Sequence, residues 1–153
     1  MTLLIILAAK YLIFIIALGA AAAVGVAVRG GRRELLWVLG VALPLGYALA
    51  RLAGLFFAHQ QPFALEGFTP LIPHDVDNAF PSDHTVIAGV FASVAFLADK
   101  RVGIALWVLT LLVGAARVSA GLHYPIDILA AALLALLATL AAWGVVKATK
   151  GVY

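Results

Sequence analysis

Two short segments hold the residues whose types and spacing suit covalent chemistry. One is PSDH, Pro81 to His84. The other is ARVSAGLHYPID, Ala116 to Asp127. In the second, Arg117 precedes His123 by six positions and Asp127 follows it by four. If a helix starts near Tyr124–Pro125, proline suits its first turn, where a missing N–H costs little. Asp127 then reaches back about one turn toward His123. A carboxylate bonded to one imidazole nitrogen fixes the tautomer and aims the other nitrogen as a nucleophile or base. The planar guanidinium of Arg117 suits phosphate oxygens.

The first segment supplies complementary parts. Ser82 is a candidate N-cap, and the free N–H groups of a helix start attract an anion. The Ser82 hydroxyl adds a donor. His84, in the first turn, is placed to give a proton to a leaving oxygen. A cationic fork, a helix start and two histidines together fit phosphoryl transfer, which depends on positioning and on stabilising spread negative charge. This chemistry needs no metal and no cofactor if arginine and backbone donors carry the charge. Each part also has a plainer use. His123 with Asp127 can be a structural pair, Ser82 a simple cap, and Asp83 an acid that favours the helix start. His74, Asp75 and Asp77 resemble a loose metal cluster but read as a solvated loop rather than a metal site.

Such groups need elements to hold them, and composition says what kind. Of 153 residues, 65% are hydrophobic and 11% charged, with no cysteine. A soluble domain of this size could not bury so much apolar surface. Disulfides and thiolate zinc sites are excluded. The formal charge of +3 gives no reason to invoke nucleic acid. Crossing a bilayer takes about 20 apolar residues. The expected spans are Leu3–Val28, Leu35–Ala58, and approximately Pro81–Ala98, Val102–Arg117 and Pro125–Val146. The first run is too long for a signal-peptide core and reads as a retained span. The expected fold is therefore all-α: an integral-membrane bundle of about five transmembrane helices forming one domain over residues 1–153.

Basic residues set the orientation. Arg29, Arg32 and Arg33, then Lys100 and Arg101, then Lys147 and Lys150 fall on one side if the N-terminus is outside. His59, Glu66, His74, Asp75, Asp77, Asp83, His123 and Asp127 fall on the other. The chemistry is thus expected at the outer face of the plasma membrane.

PSDH followed by R-x5-H-x3-D resembles the type-2 phosphatidic acid phosphatase superfamily of integral-membrane lipid phosphatases. The string DNAFPSDHT is similar to its bacterial undecaprenyl-diphosphatase branch, and the likeness extends over Leu43–Leu140. The resemblance implies a metal-independent reaction on a helical-bundle core shared with vanadium haloperoxidases. It implies that His123 forms a phosphohistidine, Asp127 orients it, His84 protonates the leaving group, and Ser82 and Arg117 hold the phosphoryl oxygens. One motif departs from the pattern. The family has a lysine, a short spacer and Arg-Pro, whereas this chain has RLAGLFFAHQQPF from Arg51 to Phe63. Gln61 stands in the arginine position. Arg51, one turn from the lysine position, and His59 are candidate substitutes. Asp83 is a candidate for tuning a neighbouring basic group.

The substrate implied is a polyprenyl diphosphate such as undecaprenyl diphosphate, with its apolar tail among helices or lipid. Alternatives are phosphatidylglycerol phosphate, phosphatidate or a lipid A phosphate, and a non-catalytic lipid-binding or transport protein. Oligomeric state is not legible in the sequence.

Overall fold

The computed structural model describes residues 1–150, apart from the side chain of Lys150; that side chain, part of the third basic group, and residues 151–153 lie outside the description. The helices are α1 (Thr2–Arg29), α2 (Glu34–Phe56), α3 (Pro62–Glu66), α4 (Asp83–Ala98), α5 (Lys100–Ser119) and α6 (Pro125–Lys150). Among the described residues, α1, α2, α5 and most of α6 are long and apolar enough to cross a membrane. Leu3, Phe14, Leu18, Leu55, Leu129 and Leu133 are among many large apolar side chains left exposed on them. An apolar exterior of this extent marks contact with lipid.

The 16 residues of α4 make a rod about 24 Å long, shorter than the ~30 Å hydrocarbon. It compensates by position. It packs against α1, α2, α5 and α6, and buries Val86, Ala88, Gly89, Val90, Ala92, Val94 and Ala95. A helix apolar all round belongs inside a bundle. Small residues let the neighbours approach closely. A Cβ at Gly103 would overlap the backbone of Phe96. On α2, burial of Leu35, Val38, Ala42, Gly46, Ala50 and Gly54 traces one stripe at helical spacing.

Local signals set the helix ends. Asp99 caps α5, its Oδ1 accepting from the N–H groups of Arg101 (2.8 Å) and Val102 (3.1 Å). This draws the start of α5 back to Lys100, ahead of the expected Val102. In contrast, α2 ends at Phe56, two residues before the expected Ala58, and α4 starts at Asp83 rather than Pro81. The stretch between α2 and α4 contains the short α3.

The two ends of the bundle differ in chemistry. Arg32 Nη1 donates to Ala98 O (3.3 Å), so the α1–α2 and α4–α5 turns share one end with their basic residues. At the other end the α2–α4 connection meets the α5–α6 turn. There Phe63 N donates to Gly121 O (3.2 Å), and Leu71 N donates to Ala120 O (3.1 Å).

Candidate active site

The site is assembled where the 57–82 connection crosses the start of α6. Gln60 and Asn78 form an isolated antiparallel bridge. Asn78 is the staple: its Oδ1 accepts from His59 N (3.1 Å) and Phe80 N (3.0 Å), and its Nδ2 donates to Gly54 O and Phe80 O. The same strand-like contact lets Ala79 N donate to His59 O (2.8 Å). The carbonyl of Ala79 then points at His123, whose Nδ1 lies 2.8 Å away. A carbonyl only accepts, so Nδ1 carries the hydrogen and Nε2 holds the lone pair.

Asp127 is fully buried. Its Oδ2 accepts from Tyr124 N (2.8 Å). This is the backward half of a capping box, with Pro125 opening the helix behind Tyr124. The same Oδ2 lies 3.6 Å from His123 Nδ1, too far for a hydrogen bond. The expected bond between Asp127 and His123 is therefore replaced by the one to Ala79, and Asp127 acts as a nearby charge. Its Oδ1 lies 3.0 Å from His59 Nε2. The approach is off-line, so neither atom completes a hydrogen bond among the described residues.

Ser82 occupies the N-cap position of α4, but its hydroxyl makes no capping bond. Instead Thr85 Oγ1 donates to Ser82 Oγ (3.1 Å), leaving the Ser82 hydrogen for another acceptor. Ser82 N donates to Asp127 O (3.3 Å), tying the start of α4 to α6. Arg117, from the last turn of α5, is buried, and its Nε lacks a hydrogen-bond partner among the described residues. A buried guanidinium with an unsatisfied donor is suited to an anion. Half-buried His84 lies within electrostatic reach of Arg117, His123 and His74.

The altered first motif resolves into separate roles. Gln61 is buried and turned into the connection: Asp77 N donates to its Oε1 (3.0 Å), and its Nε2 donates to Asp77 Oδ1 (3.3 Å) and Asp75 O (3.4 Å). Arg51 forms an ion pair with Asp83 and lies over the Tyr47 ring. Thus Gln61 anchors the loop, Arg51 neutralises an acid at the start of α4, and His59 faces Asp127. The carbonyl of Ala79 was invisible to sequence reasoning, since an alanine has no chemical side chain. His74 was read only as part of a solvated loop; its place near His84 depends on how that loop folds. An apolar groove lies away from this chemistry, near the basic end, lined by Ser93, Ile104, Trp107, Leu136 and Trp143.

The fold and the site define a class: an all-α membrane bundle that gathers two histidines, a buried arginine and a helix start at one end. Residues 35–150 match the PAP2 superfamily, and the chain belongs to that family. It is 36% identical over 134 residues to the bacitracin transport permease protein BcrC of Bacillus licheniformis, covering 86% of this chain and 65% of that protein. It is 31% identical over 106 residues to undecaprenyl-diphosphatase BcrC of Bacillus subtilis, covering 69% of this chain and 54% of that one. The chain thus spans between about half and two thirds of the length of these relatives. In fold it is similar to the crystal structure of Aquifex aeolicus LpxE, with a TM-score of 0.66, 24% identity, and coverage of 88% of this chain and 87% of that one.

Proposed function

We propose that this chain is a lipid phosphatase that hydrolyses a polyprenyl diphosphate, with undecaprenyl diphosphate the preferred substrate, to the monophosphate and inorganic phosphate. The likeness to an undecaprenyl-diphosphatase supports this substrate. In this reading residues 1–153 form one membrane-embedded domain in the plasma membrane. Five spans, with α4 as the short central one, place the N-terminus and the site outside and the basic turns inside.

The reaction has two balanced steps. First, the Nε2 lone pair of His123 attacks the terminal phosphorus and an N–P bond forms. The bond from phosphorus to the bridging oxygen breaks, and that oxygen takes a proton from His84. Arg117, Ser82 and the N–H groups opening α4 hold the phosphoryl oxygens as charge spreads over them. Second, water attacks phosphorus, the N–P bond breaks, and the water's proton passes to His84. The negative charge of Asp127 stabilises the positive imidazole ring of the intermediate.

The observation that carries this reading is the bond from His123 Nδ1 to Ala79 O, which leaves Nε2 as an unprotonated nucleophile. Purified protein in detergent is expected to release phosphate from undecaprenyl diphosphate with excess chelator present, and His123→Ala to abolish the release. Equal turnover by His123→Ala would reject the mechanism. A panel including phosphatidylglycerol phosphate, phosphatidate and lipid A substrates tests the choice of lipid.

A further inference from the structure

We infer that His59 is a positioning residue for phosphoryl transfer, acting through Asp127 rather than on the substrate; this rests on the proposed phosphatase reading. Asp127 is fully buried, and a buried carboxylate oxygen without a donor is costly. Oδ2 is served by Tyr124 N (2.8 Å). Oδ1 faces His59 Nε2 at 3.0 Å, and both atoms are shut off from solvent with no other partner among the described residues. A slight rotation of either side chain turns this approach into a hydrogen bond. The His59 ring is flanked by two aromatic rings. It packs edge-on to Tyr124, with centroids 5.5 Å apart, and against Phe80 at 5.9 Å.

His59 is joined to the nucleophile by a second route. Its carbonyl accepts from Ala79 N (2.8 Å), and the carbonyl of Ala79 accepts from His123 Nδ1 (2.8 Å). One residue thus supports both groups that face Nδ1 of His123: the Ala79 carbonyl through the backbone and the Asp127 carboxylate through the imidazole. Without the imidazole, Oδ1 loses its nearest donor. The carboxylate is then free to rotate toward His123, where it competes with Ala79 O for the Nδ1 hydrogen and misdirects the nucleophile. His59 therefore takes the place beside the altered Arg-Pro motif without supplying the arginine's charge to the phosphate.

The test compares wild type, His59→Ala, His59→Gln and His123→Ala in detergent, each first shown to be folded by its thermal transition. Rates of phosphate release from undecaprenyl diphosphate are resolved into kcat and KM. His59→Ala is expected to lower kcat roughly ten- to a hundredfold, by analogy with the hydrogen-bond partners that orient metal-bound histidines, with KM little changed. His59→Gln is expected to recover most of kcat, because its amide Nε2 can donate to Oδ1. Imidazole ¹⁵N spectra of the full chain give a readout apart from activity: the His123 Nδ1 signal is expected to move in His59→Ala and return in His59→Gln. A raised KM with unchanged kcat would make His59 a substrate contact and overturn the inference. Wild-type kinetics in His59→Ala, or a folded His59→Gln as impaired as His59→Ala, would overturn it too. If wild type and His123→Ala release phosphate equally, the phosphatase reading itself fails and the role of His59 falls with it.

Discussion

Nδ1 of His123 lies 2.8 Å from the carbonyl of Ala79 and 3.6 Å from the carboxylate of Asp127. The backbone, not the acid, therefore sets the tautomer. In a triad where the acid alone does so, replacing it with the amide costs about 10⁴ in kcat through the wrong tautomer. Asp127→Asn is expected to cost less here, on the order of tenfold to a hundredfold. A kcat loss near 10⁴ would return the tautomer to the control of Asp127.

Arg117 is buried, and its Nε has no hydrogen-bond partner among the described residues, which suits it to an anion. Arg117→Ala is expected to lower kcat/KM by roughly 10²–10³, the scale of losing one strong transition-state donor. Arg117→Lys is expected to recover little, since an ammonium lacks the planar fork. Full activity in Arg117→Lys would show that charge alone suffices.

Arg51 pairs with Asp83 at a partly exposed position, where ion pairs contribute about 0–1 kcal/mol to stability. A larger effect of its loss is expected on function. Arg51→Ala leaves Asp83 uncompensated beside Arg117, which is within its electrostatic reach. Phosphate hydrolysis is expected to fall in Arg51→Ala and to recover in Arg51→Ala/Asp83→Asn. If the double variant is no better than the single one, Arg51 acts on the substrate directly.

Gln61 bridges to Asp77 and Asp75 across the connection. Gln61→Ala removes these bonds from a loop whose partners can turn to water. A loss of about 1 kcal/mol is expected, read as a lower Tm in detergent, with kcat changed far less than in His59→Ala. A collapse of kcat at unchanged Tm would instead give the glutamine a direct part in the reaction.

Gly121 sits at φ +80°, and a Cβ there would meet the Phe68 ring at 2.5 Å. The left-handed backbone alone costs a side chain about 1–2 kcal/mol, and the clash adds to it. Gly121→Val is expected to lower Tm clearly and to reduce activity, because His123 follows two residues later. A thermal transition like that of wild type would mean that the turn relaxes freely.

Much of this was legible in one sequence. Apolar runs located the helices, because crossing lipid leaves few other solutions for the backbone. PSDH and R-x5-H-x3-D marked two helix ends whose side chains suit phosphate. Less legible were the exact ends of α2, α4 and α5, since caps such as Asp99 shift boundaries by a residue or two. The roles of Arg51, His59 and Gln61 were also out of reach: Arg51 and His59 were both candidates to replace the cation missing at Gln61.

The sequence by itself determined residence in the membrane, the helical class, the family motifs and the grouping of basic residues between alternate helices. These follow from hydropathy and local spacing, which the chain carries in order. Only the tertiary structure decided which partners meet. The pairing of Arg51 with Asp83, 32 residues apart, and the reach of His59 to Asp127 depend on how the 57–82 connection folds over α6. The acceptor for His123 is the carbonyl of an alanine 44 residues away. A backbone carbonyl is the same in every residue, so only the fold can choose which one orients the histidine.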